Sequence, residues 1–146
     1  MGGETEPAIV ESIILDSVEE LVSYLDAEMT VHWANRAAGE SVACEPEELV
    51  GRRCYEIWHQ RGEPCEGCPV VKAFETGRSQ ESEIVTPDGR EWHIRGYPIR
   101  IGESVVGMVE ITSEITEKKR LERALREKEE RLAGVLSSIA DHVSIV

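Results

Sequence analysis

The chain has 146 residues, 40% of them hydrophobic and 31% charged, which suffices for one core and is too little for two full domains. Its net charge of −13, from 16 basic and 29 acidic residues, sets it against nucleic acid phosphates and anionic lipid as partners. No apolar run reaches the roughly 18–20 residues of a membrane helix, and the acidic start lacks the basic and apolar regions of a secretion signal, so a cytoplasmic location without membrane contact is expected.

Residues 1–8 read as an N-terminal tail, and residues 9–15 as an apolar-rich helix. Leu21 to Leu25 and Thr30 to Ala34 read as strands around a turn at Asp26–Glu28. Asn35 is placed to cap a short helix carrying Ala37, Ala38 and Val42. Glu45-Pro46-Glu47-Glu48 starts another, with Pro in its first turn and acids at the positive dipole end, and Gly51 breaks it. Tyr55, Ile57 and Trp58 form a short apolar segment, followed by a polar loop over 59–67. Pro69 to Thr76 reads as a helix stopped by Gly77. Ser82 to Thr86, Glu91 to Ile101 and Val105 to Thr112 then read as strands. Pro87-Asp88-Gly89-Arg90 makes the first hairpin, and Pro98 implies an edge or a bulge. Strands surrounding a helical insert predict an α+β fold with an antiparallel sheet.

Charge and periodicity change near residue 116. Residues 1–116 hold 9 basic and 23 acidic side chains, whereas residues 117–139 hold 7 and 5. Leu121, Leu125, Leu132, Val135 and Ile139 recur at helical steps, with Lys118 and Lys128 in the same seam. Glu114–Lys118, Glu122–Arg126 and Glu127–Arg131 have the spacing of favourable helix pairs. The narrow stripe with charged flanks is expected to form a coiled-coil homodimer, the rival being a solvated helix on its own domain. Leu15 to Tyr24 also matches Leu136 to Ile145 with apolar residues in register. Residues 117–135 are therefore expected to link a domain over 9–116 to the truncated start of a similar one at 136–146, as in a tandem array.

These segments resemble the PAS sensory domain over about residues 9–116. Val31-His-Trp-Ala-Asn-Arg-Ala-Ala38 resembles the family's second strand and the helix after it. Glu47-Glu-Leu-Val-Gly-Arg52 is similar to its Glu-Glu-Leu-Ile-Gly-Arg segment. Pro87-Asp-Gly-Arg90 is similar to its hairpin between the third and fourth strands. Glu110-Ile-Thr-Ser-Glu-Ile-Thr-Glu-Lys-Lys119 resembles its closing strand and the junction into a signalling helix. The resemblance implies a five-stranded antiparallel sheet with short helices on one face around a small cavity, followed by a C-terminal signalling helix. It also implies a non-catalytic sensory input upstream of a module in cis, a histidine kinase or a diguanylate cyclase. A ligand-free dimerisation or interaction module is the alternative. No nucleophile–base pair, phosphate loop or metalloprotease helix is present in the sequence.

Four cysteines in a cytosolic chain need an explanation. Cys54-x10-Cys65-x2-Cys68 carries one thiolate-knuckle spacing, and Cys54, His59, Cys65 and Cys68 would suit tetrahedral zinc. A four-thiolate set including Cys44 would suit an iron–sulfur cluster. Cys65 and Cys68 open a helix whose dipole would lower thiol pKa and give a reactive dithiol. The plain reading is that Cys44 and Cys54 are small buried hydrophobes and that Cys65 and Cys68 order a loop. All three readings stay open. Flavin is disfavoured. Cys54 aligns with the photoreactive Cys of the light-oxygen-voltage branch, but Arg53, Tyr55, Glu56 and Trp58 stand where that branch has Asn, Arg, Phe and Gln. Haem is disfavoured because Pro69, not His, follows Cys68, and the next helix lacks His. Trp33 and Trp92 are expected in the core or cavity wall, with His32 and His93 on the opposite sheet face.

Overall fold

The computed structural model describes residues 6–143. It divides into a unit ending at Glu114 and a second beginning at Ile115. The first contains helix α1 (Glu6–Ser17), strands β1 (Leu21–Leu25) and β2 (Val31–Ala34), and helix α2 (Arg36–Glu40). Helices α3 (Cys54–His59) and α4 (Pro69–Thr76) follow, then strands β3 (Gln80–Val85), β4 (Glu91–Ile101) and β5 (Ser104–Glu114). The second is helix α5 (Thr116–Val143). The strands form one antiparallel sheet in the order β2-β1-β5-β4-β3, so the last strand in sequence is the central one.

Period-2 alternation gives the sheet a covered face. Leu21, Ser23 and Leu25 of β1 stand opposite Thr112, Glu110 and Met108 of β5. On the other side of β5, Ile94 and Gly96 of β4 pair with Thr112 and Glu110. Helices α3 and α4 supply Cys54, Tyr55, Val70 and Ala73 to the same core. Leu25, Val31, Leu49, Val70 and Met108 are fully buried, each contributing about 1.5–3 kcal/mol of transfer free energy.

Three devices bring the helices to the sheet. Asn35, fully buried, caps α2 by accepting from Ala38 N at 3.1 Å and also accepts from Val22 N at 3.0 Å. Its amide nitrogen donates to the carbonyls of Leu15 (2.9 Å) and Glu20 (3.0 Å), so one side chain joins α1, β1 and α2. Glu45 and Glu48 form a reciprocal capping box on a 3₁₀ turn, Pro46–Glu48. Gly96 lets α4 lie against β4: a Cβ there would stand 3.0 Å from the Val70 Cα and 3.1 Å from the Pro69 carbonyl oxygen.

Several expected boundaries shift for identifiable reasons. The first helix is longer than 9–15 and takes residues 6–8 from the expected tail; residues 1–5 lie outside the described residues. Thr30 makes an isolated bridge to Arg53 instead of opening β2. The apolar segment around Tyr55 is a helix, ended by Gln60 in the left-handed conformation (φ 54°). Strand β3 begins two residues early and ends before Thr86, whose hydroxyl turns inward to Asp88 and Trp92. Pro98 lies beyond the last β3 partner of β4, where no neighbour needs its missing N–H, and a bulge follows at Ile99/Arg100. Trp33 is half-buried and outside the core cluster, because it shares a face with its register partner Tyr24.

Within α5, Leu121, Leu125, Leu132, Val135 and Ile139 are each more than half exposed. Lys119–Glu122 and Arg120–Glu117 are ion pairs at 4.0 and 3.8 Å. Glu114 closes β5 and so lies before the start of α5, the helix that holds Lys118. The helix continues through residues 136–143 of the sequence repeat. In the first copy β1 is held between β2 and β5. Residues 144–146, the end of that repeat, lie outside the described residues.

Candidate functional site

The centre of the covered face is a carboxylate. Met108, Glu110 and Thr112 share one side of β5, which puts Glu110 in phase with a fully buried methionine. It lines a cavity with a volume of about 30 Å³, together with Leu21, Ser23, Trp58, Trp92 and Thr112. A second void of about 20 Å³ adjoins it, and Cys54, His59, Ile84, Ile94 and Glu110 line both. A water needs about 10–15 Å³ by this measure, and an organic ligand pocket about 300–1,000 Å³. The chamber as it stands therefore admits water or an ion, not an organic ligand.

Burial pushes the Glu110 carboxyl up to about 7, and a hydrogen bond from the Ser23 hydroxyl partly opposes this. No Lys or Arg lines either void. The nearest titratable base is His59, whose pKa is pushed down by burial and then by the positive Arg61.

A chain of polar contacts holds the aromatic wall. Trp92 Nε1 donates to Thr86 Oγ1 at 2.9 Å, and Thr86 donates to Asp88 at 2.6 Å. Arg90 stacks over the Trp92 ring at 4.7 Å and donates to the Ser41 carbonyl at 3.1 Å. Trp58 Nε1 donates to Ser41 Oγ at 2.9 Å. The β3–β4 hairpin, the segment after α2 and α3 are thus tied around the chamber.

The structure brings Cys54, His59, Cys65 and Cys68 to one void. Cys54 is buried at the start of α3, and Cys68 is the N-cap of α4, in a turn closed by Cys68 N donating to Cys65 O at 3.1 Å. All four cysteines are free thiols. Cys44 lies apart, in a surface hollow with Glu40, Ala43, Glu45 and Glu48, so the four thiols are not brought together. Among the described residues, no group of three or more His, Cys, Asp or Glu side chains is already spaced for a metal ion. Burial pushes the Cys65 and Cys68 thiols up, more than the Val71 and Val70 N–H groups pull Cys68 down. Burial also pushes up Cys54, with the Glu110 charge adding to it.

His32 is exposed and pairs with Asp26 at 2.8 Å, and His93 is half-buried and meets Glu81 at 3.2 Å. Trp92 is a chamber wall, as its strand position implies. Glu110 was not singled out by sequence reasoning. Its signal was present: a carboxylate between Val109 and Ile111, two residues from Met108, within the apolar stretch Val105 to Ile111.

Among the described residues, no helix is long and apolar enough to cross a membrane. A family model described as the PAS fold matches residues 15–120. No curated protein matches the chain. Among solved structures, the PAS domain of a Colwellia psychrerythraea protein is similar at 18% identity and a TM-score of 0.59, over 77% of this chain and 99% of that one. The PAS domain of nitrogen regulation protein NR(II) from Vibrio parahaemolyticus is similar at 18% identity and a TM-score of 0.57, over 77% and 100%. The Vibrio cholerae VqmA dimer is similar at 21% identity and a TM-score of 0.56, over 75% of this chain and 52% of that one. The antiparallel sheet of five strands, its helical cover and the matched residues agree, and the chain belongs to the PAS fold family.

Proposed function

We propose that this chain is the cytoplasmic input module of a multidomain signalling protein, with a histidine kinase as output. The observation that carries this reading is the position of Glu110. It lines the chamber from the central strand, and that strand runs on through Ile115 into α5. A stimulus at the chamber acts on β5 directly, and β5 is covalently continuous with the exposed apolar seam of α5. Two α5 helices packed through Leu121, Leu125, Leu132, Val135 and Ile139 would then shift in rotation or stagger, given two packings within a few kcal/mol. Lys118 and Lys128 weaken that seam and favour switching. Four free thiols suit a reducing compartment. A diguanylate cyclase fits the same geometry as output. The chamber volume favours a stimulus of ionic or redox type over an organic molecule.

The test is amide hydrogen exchange on the purified chain, before and after adding zinc, ferrous iron or peroxide. The expected result is altered protection in β5 and along α5 for one of these. Protection changes confined to residues 21–110, with α5 unaffected, would overturn the relay.

The alternative of a ligand-free dimerisation module is supported by the same exposed seam. It differs in one outcome: dimerisation through α5 with no chamber stimulus altering it.

A further inference from the structure

We propose that Cys54, Cys65, Cys68 and Glu110 form a binding site for a single thiophilic divalent metal ion of the zinc class. This rests on the chamber being the stimulus site and names the stimulus.

The donors come from three separate parts of the chain: the start of α3, the turn into α4, and the central strand. Yet all four face one void of about 20 Å³, close to the size of a single water or ion. The rest of its wall is apolar at Met29, Pro64, Pro69, Ile84 and Ile94, with Tyr55, His59 and Glu66 as its polar members. Thiolates select zinc-like ions, and a carboxylate is an accepted fourth ligand. Glu110 has the Ser23 hydroxyl beside it, no Lys or Arg among the residues lining the two voids, and lone pairs to spare. A divalent cation is the species that a carboxylate and three thiols can hold together, the thiols ionising as it binds. Cys65 and Cys68 already share a tight turn, with Cys68 N donating to Cys65 O at 3.1 Å.

The side chains are not yet at coordination spacing, so binding must draw them together. That movement would fall on the α3–α4 loop. Residues 60–64 and 66–67 are exposed, and the loop is flanked by Gln60 and Gly67 with φ of 54° and 70°. Each coordinating thiol releases its proton to solvent as its sulfur–metal bond forms, so binding strengthens as pH rises. The ion would fasten the α3–α4 loop to β5, which is where a relay must begin.

The experiment uses the reduced 146-residue chain and cobalt(II) as an optical probe. One cobalt per chain is expected, with thiolate charge-transfer and visible ligand-field bands that zinc abolishes. Glu110→Gln should weaken cobalt binding at least 10-fold. Cys65→Ser should remove about a third of the charge-transfer intensity, one thiolate of three. Cys44→Ser, outside the site, should change neither. Circular dichroism of each variant confirms folding, and Glu110→Gln keeps the side chain's shape while removing a buried charge. Absence of thiolate–cobalt bands in the unmodified chain would overturn the proposal. Bands unchanged by Glu110→Gln would overturn the role of Glu110. Failure of the sensory reading is separable: cobalt bound as described with α5 exchange unaltered would retain the site and sink the relay.

Discussion

Ser23 and Glu110 are direct register partners across the β1–β5 ladder, with the Ser23 hydroxyl beside the Glu110 carboxyl on the covered face of the sheet. A polar pair thus occupies the point where the apolar core would otherwise close. Such a pair weakens the fold and is kept for what it does.

The first prediction concerns pH. Glu110 titrates near 7 when folded against an ordinary value of 4.5, so the folded state holds the extra proton between these values. Its contribution is fully present below about 4.5 and is lost as pH rises through 7. The loss amounts to about 3 kcal/mol at pH 8, from roughly 1.4 kcal/mol per pKa unit. Urea unfolding of the metal-free, reduced chain should show this fall between pH 5 and 8, and Glu110→Gln should flatten it. An equal slope in both proteins would contradict the assignment.

Asn35 predicts a second outcome. Asn35→Ala removes four hydrogen bonds at a fully buried position and strands the Val22 N–H and the Leu15 and Glu20 carbonyls. A loss of about 3–4 kcal/mol is expected by denaturant titration. Asn35→Asp keeps the acceptor and loses the donors, so it should fall between the two.

Gly96→Ala gives a third. The added methyl meets backbone atoms of α4 at 3.0 and 3.1 Å, which cannot yield as a flexible side chain would. A destabilisation of about 1–3 kcal/mol is expected, with hydrogen exchange in α4 accelerated more than in β1.

The fourth concerns α5. Sedimentation should find a dimer at micromolar concentration, and replacing Leu125 and Leu132 together by Glu should give a monomer with the sheet intact. A monomeric unmodified chain with α5 helical by circular dichroism would refute the seam.

Much of the fold was readable from local chemistry. Helix α4 has the expected ends because Pro69 fills its first position and Gly77 takes the left-handed stop. Asn35 as a cap was equally legible. Its second task, joining α1 to β1, was not, because those partners are distant in sequence. The end of β3 was missed because Thr86 serves Asp88 and Trp92 instead of the ladder. At the site, the grouping of Cys54, His59, Cys65 and Cys68 followed from spacing alone. The separation of Cys44 and the entry of Glu110 did not, since both depend on which strand ends up central.

Trp58 and Trp92 form part of the chamber wall, while Trp33, the third tryptophan, lies outside the core. The molecule therefore carries its own optical gauge. Any species that enters the larger of the two voids beside Glu110 changes the surroundings of two indole rings out of three, and intrinsic fluorescence can follow that occupancy without a label.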